Sequence, residues 1–279
     1  MPTIILHTDT LKQPHRDLLS EQFGTEPTAK DGHFRLTASG TVDTLKRKCQ
    51  TLSEKWELDI NVLADDFDPK RIKLLISDMD STLIGIECVD EIADMMGIKP
   101  QVAAITEAAM RGELNFEESL SERVALLKGL ETHALDRVMQ ERLVLNPGAE
   151  KWIEGLKARE IAFALVSGGF TYFTDRLKTR LKLDYTQANT LEIDQGRLTG
   201  RVQGAIVGAE AKADFLQALC QQHQLDCTQT LAIGDGANDL KMMQVAGLSI
   251  AYHAKPAVQA QADVSLNHSG LDKVLDLLA

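Results

Sequence analysis

Leu74-Leu75-Ile76-Ser77-Asp78-Met79-Asp80-Ser81-Thr82 is the stretch on which the reading of this chain turns. A short apolar run reads as a buried strand, yet here it ends in two acids rather than an apolar turn. In extended chain, positions two apart point to one side, so Asp78 and Asp80 start as neighbours whose like charges repel. A cation or a shared proton relieves that repulsion. Two carboxylates with different roles are also what an aspartyl nucleophile with its own acid/base requires.

Outward from this point the pattern alternates. Strand candidates are Lys73–Ser77, Ile161–Val166, Thr230–Ile233, Leu248–Ala251 and Val264–Leu266. Helical stretches separate most of them: Ala149–Ala158, Thr171–Leu181, Glu210–His223, Asp239–Val245 and Pro256–Gln261. The alternation predicts an α/β fold with a parallel sheet covered by helices. Residues 183–207, with Asp194-Gln195-Gly196-Arg197, read as a β-hairpin. The gap at 88–146 is far longer than one crossover helix needs and reads almost wholly helical (Val89–Met96, Gln101–Arg111, Phe116–Lys128, Ala134–Glu141). It is expected to be a helical cap over the mouth of a site. Ahead of residue 66 lies a small α+β unit. Its strands are Thr3–His7, Phe34–Ser39 and Leu58–Leu63 and its helices His15–Phe23 and Val42–Trp56; Thr25–Lys30, counted as one more strand, would make the order βαββαβ. The charged, proline-bearing segment Asp65–Arg71 reads as a linker, so the expected domains are 1–66 and 72–279.

Three strands end in polar signatures: Asp78-Met79-Asp80, Ser167-Gly168-Gly169, and Gly234-Asp235-Gly236-Ala237-Asn238-Asp239. In open α/β sheets ligands bind beyond the carboxyl ends of the strands, so the three would meet in one crevice. Each alone also fits a plain turn or a helix N-cap; their joint occurrence in order carries the weight. Ser167-Gly168-Gly169 opens a helix, whose N-terminus attracts anions. Lys212 sits near the N-terminus of the Glu210–His223 helix, where the macrodipole disfavours a cation, and shares a face with Phe215, Leu216 and Leu219. It reads either as a snorkelling lysine or as a cation aimed at a phosphate and a carboxylate, and the three acid clusters favour the second.

Composition bounds the rest. With 279 residues, 44% hydrophobic and 25% charged, the chain can bury more than one core. A net charge of −11 argues against nucleic acid or an anionic membrane as partner, and leaves an anionic substrate to be drawn in by local cations. Cys49, Cys88, Cys220 and Cys227 form no CxxC pair, which fits a reducing cytoplasm. No basic-then-apolar leader and no run of membrane-spanning length is evident.

These motifs resemble those of the haloacid dehalogenase superfamily of phosphotransferases, and within it the branch that hydrolyses phosphoserine. Asp78–Leu83 matches the nucleophile loop, with Glu87 at the family spacing. Met110–Phe116 and Ser119–Arg123 match the cap segment that reads the amino acid, and Ser167–Phe170, Lys212, Gly234–Asp239 and Tyr252–Pro256 match further motifs. The resemblance covers residues 72–279; ahead of it some members carry an ACT-like amino-acid-sensing domain, of ferredoxin-like architecture. It implies a Rossmann-like core with an inserted helical cap. It also implies that Asp78 attacks phosphorus and that Asp80 protonates the leaving oxygen and then activates water. The ligands of Mg2+ would be Asp78, the backbone carbonyl of Asp80, and Asp235, with Asp239 orienting groups behind them. Ser167, Gly168, Lys212 and Asn238 would hold phosphate oxygens. Glu87 would pair with the substrate ammonium, Arg123 with its carboxylate, and Met110 and Phe116 would wall the pocket. Asn115 and Glu118 read as the N-cap and N3 pair of the helix that carries Arg123. The activity implied is the final step of serine biosynthesis, on a small-molecule substrate, with self-association into a homodimer left open. Two other readings share the acids: a phosphotransferase that passes phosphate to another alcohol, and a signalling receiver, which lacks the long helical insertion.

Overall fold

The computed structural model describes residues 1–279, except the side chain of Met110. Its strands are β1 (Thr3–Leu6), β2 (Thr28–Lys30), β3 (His33–Thr37), β4 (Ile60–Leu63), β5 (Leu74–Ser77), β6 (Ala162–Phe170), β7 (Tyr185–Asp194), β8 (Arg197–Gln203), β9 (Thr230–Gly234), β10 (Leu248–Tyr252) and β11 (Val264–Leu266). Its helices are α1 (Gln13–Phe23), α2 (Val42–Trp56), α3 (Cys88–Met95), α4 (Lys99–Met110), α5 (Phe116–Ala125), α6 (His133–Arg137), α7 (Ala149–Lys157), α8 (Thr171–Leu181), α9 (Ala209–Gln222), α10 (Leu240–Val245) and α11 (Pro256–Gln259). Among the described residues no helix is long and apolar enough to cross a membrane.

The larger sheet runs β11-β10-β9-β5-β6-β7-β8. Its pairs are parallel except β7 with β8. β5 pairs with β6 on one side and β9 on the other, so the chain leaves β5 in both directions and the strand order reverses there. That reversal opens a crevice at the carboxyl ends of β9, β5 and β6, the three strands that carry the polar signatures. β5 and β9 are buried along their whole length, as a doubly covered parallel sheet demands. One core cluster, with Trp152, Phe170 and Phe173 at zero exposure, fills the face beneath the helical insertion; a second, with Leu216, Leu219 and Met242, fills the face beneath α9 and α10.

Three details differ from the sequence reading. Ser167-Gly168-Gly169 is not a turn: β6 stays extended through Phe170, and α8 begins at Thr171. The expected helix Ala134–Glu141 is a short α6 that widens into a π-type turn over Val138–Arg142. Residues Leu271–Leu278, unread in the sequence, form a 3-10 helix packed on α7. The hairpin at 183–207 exists, but it also extends the main sheet and reaches the helical insertion. There Leu198 accepts from Gly129 N–H and donates to Leu130 carbonyl, both at 2.8 Å.

The smaller sheet is antiparallel, in the order β2-β3-β1-β4, the ferredoxin-like arrangement expected of βαββαβ. Its core is a cluster of its own, including Ile4, Leu19, Leu45 and Val62. It meets the larger sheet edge to edge. Asn61 donates through Nδ2 to Ser265 carbonyl and accepts through Oδ1 from Ser265 N–H, both at 2.9 Å, so one side chain stands in for a strand. Asp59, 1% exposed, accepts from the backbone N–H groups of Asn267 and His268. Such pairing protects two sheet edges that would otherwise present open ladders.

The C-terminal helix adds a buried clasp. His7 Nδ1 lies 2.9 Å from Asp276 Oδ2, and His33 Nδ1 lies 3.6 Å from Asp276 Oδ1. Arg35 Nε donates to His33 Nε2 at 3.0 Å, so that nitrogen must stay unprotonated. Burial first holds the His33 imidazole below its ordinary 6.5; Arg35 and His7 act the same way, against the pull of the Asp31 carbonyl and of Asp276. The folded state therefore binds fewer protons at His33 than the unfolded chain. Its contribution is complete above the ordinary histidine value of 6.5 and is lost as pH falls from there toward the lowered folded value. Urea unfolding of wild type should accordingly weaken below that pH, and His33→Gln should show a shallower decline; an identical slope in the variant would assign the effect to other groups.

Candidate active site

The site grows from the end of β5. Asp78 N–H donates to Ile233 carbonyl at 3.0 Å, which extends the β5–β9 ladder one residue and fixes where the first carboxylate leaves the sheet. Met79–Leu83 then forms a wide turn, closed by Ile84 N–H on Met79 carbonyl at 3.0 Å. Ser81 takes φ of 55° there, costly for a residue with a Cβ. Its hydroxyl donates to Glu87 Oε1 at 2.6 Å, which ties the turn to the start of α3. Asn146 Nδ2 donates to Thr82 carbonyl at 2.7 Å, and Ile84 pairs with Leu145, so both ends of the helical insertion are stitched together beside the turn.

Lys212 projects from the first turn of α9 into the crevice and is wholly buried. Its Nζ donates to Asp78 Oδ1 and to Asp239 Oδ1, each at 2.7 Å. Burial opposes its charge, but Asp239 and Asp78 outweigh that and hold the ammonium above its ordinary value. Asp239 is as buried as Lys212, and its second oxygen accepts from Gly236 N–H at 3.0 Å. Gly234 has no alternative: a Cβ there would stand 2.4 Å from the Asp239 carboxyl. Asp235 accepts from the Thr82 hydroxyl at 3.0 Å.

Asp80 points elsewhere. Its Oδ1 accepts from Cys88 N–H at 2.9 Å and its Oδ2 from the Ser167 hydroxyl at 3.2 Å. Burial raises its carboxyl, and those two hydrogen bonds pull back. Asp78 and Asp80 thus begin as neighbours in sequence, but one side chain is directed to Lys212 and the other to β6 and α3.

Asp78, Asp235 and Asp239 offer carboxylate oxygens within 4.8 Å of one another. A single buried lysine cannot balance three carboxylates. The surplus shows in the Asp78 carboxyl, driven well up by burial and then by Asp239, and in that of Asp235, pushed up to about 6 by the same two causes. The donor set is all oxygen, and a hard divalent cation fits it. Asp78 and Asp235 have an oxygen to spare, whereas both oxygens of Asp239 already accept hydrogen bonds.

A cavity of about 890 Å3 lies over this floor, lined by Asp78, Asp80, Gly168, Asp235 and Asn238 below and by Glu87, Phe116 and Arg123 above. Arg123 leans on α5, with Nε on Ser119 carbonyl at 3.2 Å, and faces Asp90, Glu87 and Asp80, whose charges oppose the lowering that burial imposes on the guanidinium. The expected cap pair is present: Glu118 N–H donates to Asn115 Oδ1 at 2.9 Å, and Asn115 N–H to Glu118 Oε2 at 2.8 Å. Leu120, Val124 and Leu127 are buried, so α5 presents Arg123 from a fixed stripe. Glu87 stands at the cavity mouth within reach of water. Its carboxyl is nonetheless raised to about 7, first by the protein crowding the cleft and then by Asp80. Phe116 packs on Gly168, where a Cβ would meet its ring at 2.7 Å.

Of the residues singled out in the sequence, Asp78, Asp80, Glu87, Phe116, Arg123, Gly168, Asp235 and Asn238 line this cavity, while Ser167, Lys212 and Asp239 lie just beneath it. The Met110 side chain lies outside the described residues. The sequence reading missed Thr82, the Cys88 amide and Asn146. Thr82 stood inside the quoted motif but gave no sign of its partner, because Asp235 is 153 positions away. A backbone amide such as that of Cys88 leaves no compositional trace.

The family model for haloacid dehalogenase-like hydrolases matches residues 75–244. A phosphoserine phosphatase of Polaromonas sp. is 52% identical over 226 residues, covering 79% of this chain and 96% of that protein. Among solved structures, a HAD family hydrolase from Salmonella enterica serovar Typhi superposes with a TM-score of 0.92 at 32% identity, covering 100% of this chain and 99% of the other. A phospho-aspartyl intermediate analogue of phosphoserine phosphatase superposes at 0.70 with 40% identity, covering 75% of this chain and 99% of the other.

Replacing Lys212 by Met should leave Asp78 and Asp239 buried without a counter-charge. In metal-free buffer the unfolding free energy should drop by about 3–5 kcal/mol, measured by urea titration. A loss below about 1 kcal/mol would mean that the carboxylates are not held charged by this lysine.

Proposed function

The chain belongs to the haloacid dehalogenase-like hydrolases, and on that premise we propose that it is a Mg2+-dependent phosphoserine phosphatase, hydrolysing O-phosphoserine to serine and phosphate through an aspartyl-phosphate. One observation carries the reading: the same cavity holds the acids needed for phosphoryl transfer and, facing them, the Glu87 and Arg123 pair that would read the two ends of an amino acid.

In this reading a carboxylate oxygen of Asp78 attacks phosphorus as the bond to the serine oxygen breaks. Asp80 gives its proton to that oxygen; burial, which raises its carboxyl, favours the protonated form an acid needs. Asp80 then takes a proton from water, the water oxygen attacks phosphorus, and the bond to Asp78 breaks to release phosphate. Asp78, the Asp80 carbonyl and Asp235 would hold Mg2+, which when bound offsets phosphate charge and keeps Asp78 ionised. Asp239, with both oxygens engaged, is suited to orienting Lys212 rather than to direct coordination. Lys212, Ser167, the Gly168 amide and Asn238 would hold phosphate oxygens, so that positioning and charge do most of the catalysis.

Glu87 pairs with the substrate ammonium and Arg123 grips its carboxylate as a planar fork, with Phe116, and Met110 beside it, as apolar walls. Residues 1–66 form a separate ACT-like domain, and 88–146 a cap on the 72–279 catalytic domain that excludes water when closed. A cytoplasmic setting and a place at the end of serine biosynthesis belong to the same reading, supported by four free cysteines of which three are buried.

A panel of phosphomonoesters, with and without Mg2+, tests this. Phosphoserine should lead in kcat/KM, and Asp78→Asn should lose about 10^3-fold or more. Arg123→Ala should cut the preference for phosphoserine over an ester lacking the amino-acid groups by about 10–100-fold. Full turnover by Asp78→Asn, or without any divalent metal, would falsify the assignment; unchanged selectivity in Arg123→Ala would remove that residue from recognition.

A further inference from the structure

β6 and β7 part company at the site. Their register runs Val166 to Gln187 and resumes at Phe170 to Asn189, so the Ser167-Gly168-Gly169 segment bulges out of the ladder. Asn189, 1% exposed, fills the gap. Its Nδ2 donates to Gly168 carbonyl and its Oδ1 accepts from Val207 N–H, each at 2.8 Å. Val207 N–H can only donate, so the amide cannot be turned the other way.

The held carbonyl belongs to the peptide joining Gly168 to Gly169. The other end of that peptide, Gly169 N–H, donates to Ser167 Oγ at 2.8 Å. Once that oxygen accepts from Gly169, its own proton is directed outward, and it goes to Asp80 Oδ2 at 3.2 Å. A continuous chain therefore runs from the Asn189 amide, through one peptide plane and one hydroxyl, to Asp80. The same side chain fixes Val207, the residue before Gly208, where α9 with its Lys212 begins. Phe116 packs over both seams, since a Cβ at Gly168 or Gly208 would meet its ring at 2.7 and 3.4 Å. Asparagine is depleted in strands, and nothing in its own strand needs it. An aspartate would set a carboxylate oxygen against the Gly168 carbonyl, and a leucine would leave both backbone groups unpaired.

We propose that Asn189 is a positioning residue for phosphoryl transfer: it sets the Gly168–Gly169 peptide plane and thereby the direction in which Ser167 meets Asp80. The inference rests on the roles given to Asp80 and Ser167 above. A purely structural role, plugging a bulge, is the rival.

The test uses the full chain with Mg2+ and phosphoserine. Asn189→Ala should lower kcat about 100-fold, the scale of a small misplacement of reacting groups. KM should move far less, because the hydrogen bonds of Asn189 run to Gly168 and Val207 and not to Glu87 or Arg123. Leu191→Ala, a buried neighbour on the same strand, controls for lost stability and should keep kcat within about twofold. Asn189→Asp supplies the readout that a plug would not give. Its carboxyl can donate to Gly168 only when protonated, so its kcat relative to wild type should climb as pH is lowered from about 8.5 to about 5.5. A flat ratio overturns the proposal, as does an Asn189→Ala kcat within about threefold of wild type. If Asn189→Ala fails to fold, the Asn189→Asp profile, normalised to folded protein by circular dichroism, decides. If wild type ignores phosphoserine, the functional reading has failed instead, and the same comparison is made on whichever phosphomonoester it does hydrolyse.

Discussion

The ammonium of Lys212 lies closed off from water between Asp78 and Asp239, and the rest of the site is arranged around that contact. Removing three charged groups from solvent is expensive, and an ion cluster of this kind is seldom the most stable filling for its space. It persists here because α9, β5 and the loop after β9 each deliver one member to a fixed place. The cluster still carries more negative charge than one lysine balances once Asp235 is counted. That surplus of negative charge suits a hard divalent cation.

Around this floor the fold keeps two carboxylates from one short turn in separate surroundings. Asp78 faces a buried cation, while Asp80 faces a hydroxyl and a backbone amide. Groups that begin with the same chemistry acquire different tasks when their environments differ. The turn that separates them needs Ser81 in a left-handed conformation, and the bonds from Ser81 to Glu87 and from Asn146 to Thr82 hold that strain in place. The helical insertion is anchored at the same points, so its placement and the alignment of the acids share their supports.

The smaller sheet joins the larger unit at the β11 edge, at the C-terminal 3-10 helix, and through Ile5 and Leu63, which pack into the larger core. Its junction is built from buried polar groups with fixed donor and acceptor roles: Asn61 on Ser265, Asp59 on two amides, and His7 and His33 against Asp276. Directional contacts of this kind specify a single docking geometry more sharply than apolar packing does.

Much of this was legible in the chain. Period-two and period-3.6 patterning marked nearly every element, because burial of one face imposes it locally. The strand-end acids, the cap box at Asn115 and Glu118 and the odd placement of Lys212 marked most of the cavity, since each breaks a local rule that an ordinary strand or helix would obey. Order along the chain and type of side chain were thus settled by sequence alone: which strands end in acids, and that a helical segment interrupts the first crossover. Tertiary structure alone decided which oxygen faces which partner. The extended path of Ser167–Phe170, the divergence of Asp78 from Asp80, the Thr82 hydroxyl on Asp235 and the Asn189 amide across the bulge are contacts between residues far apart in the chain. Such pairings depend on strand register and packing angle, which local pattern does not encode.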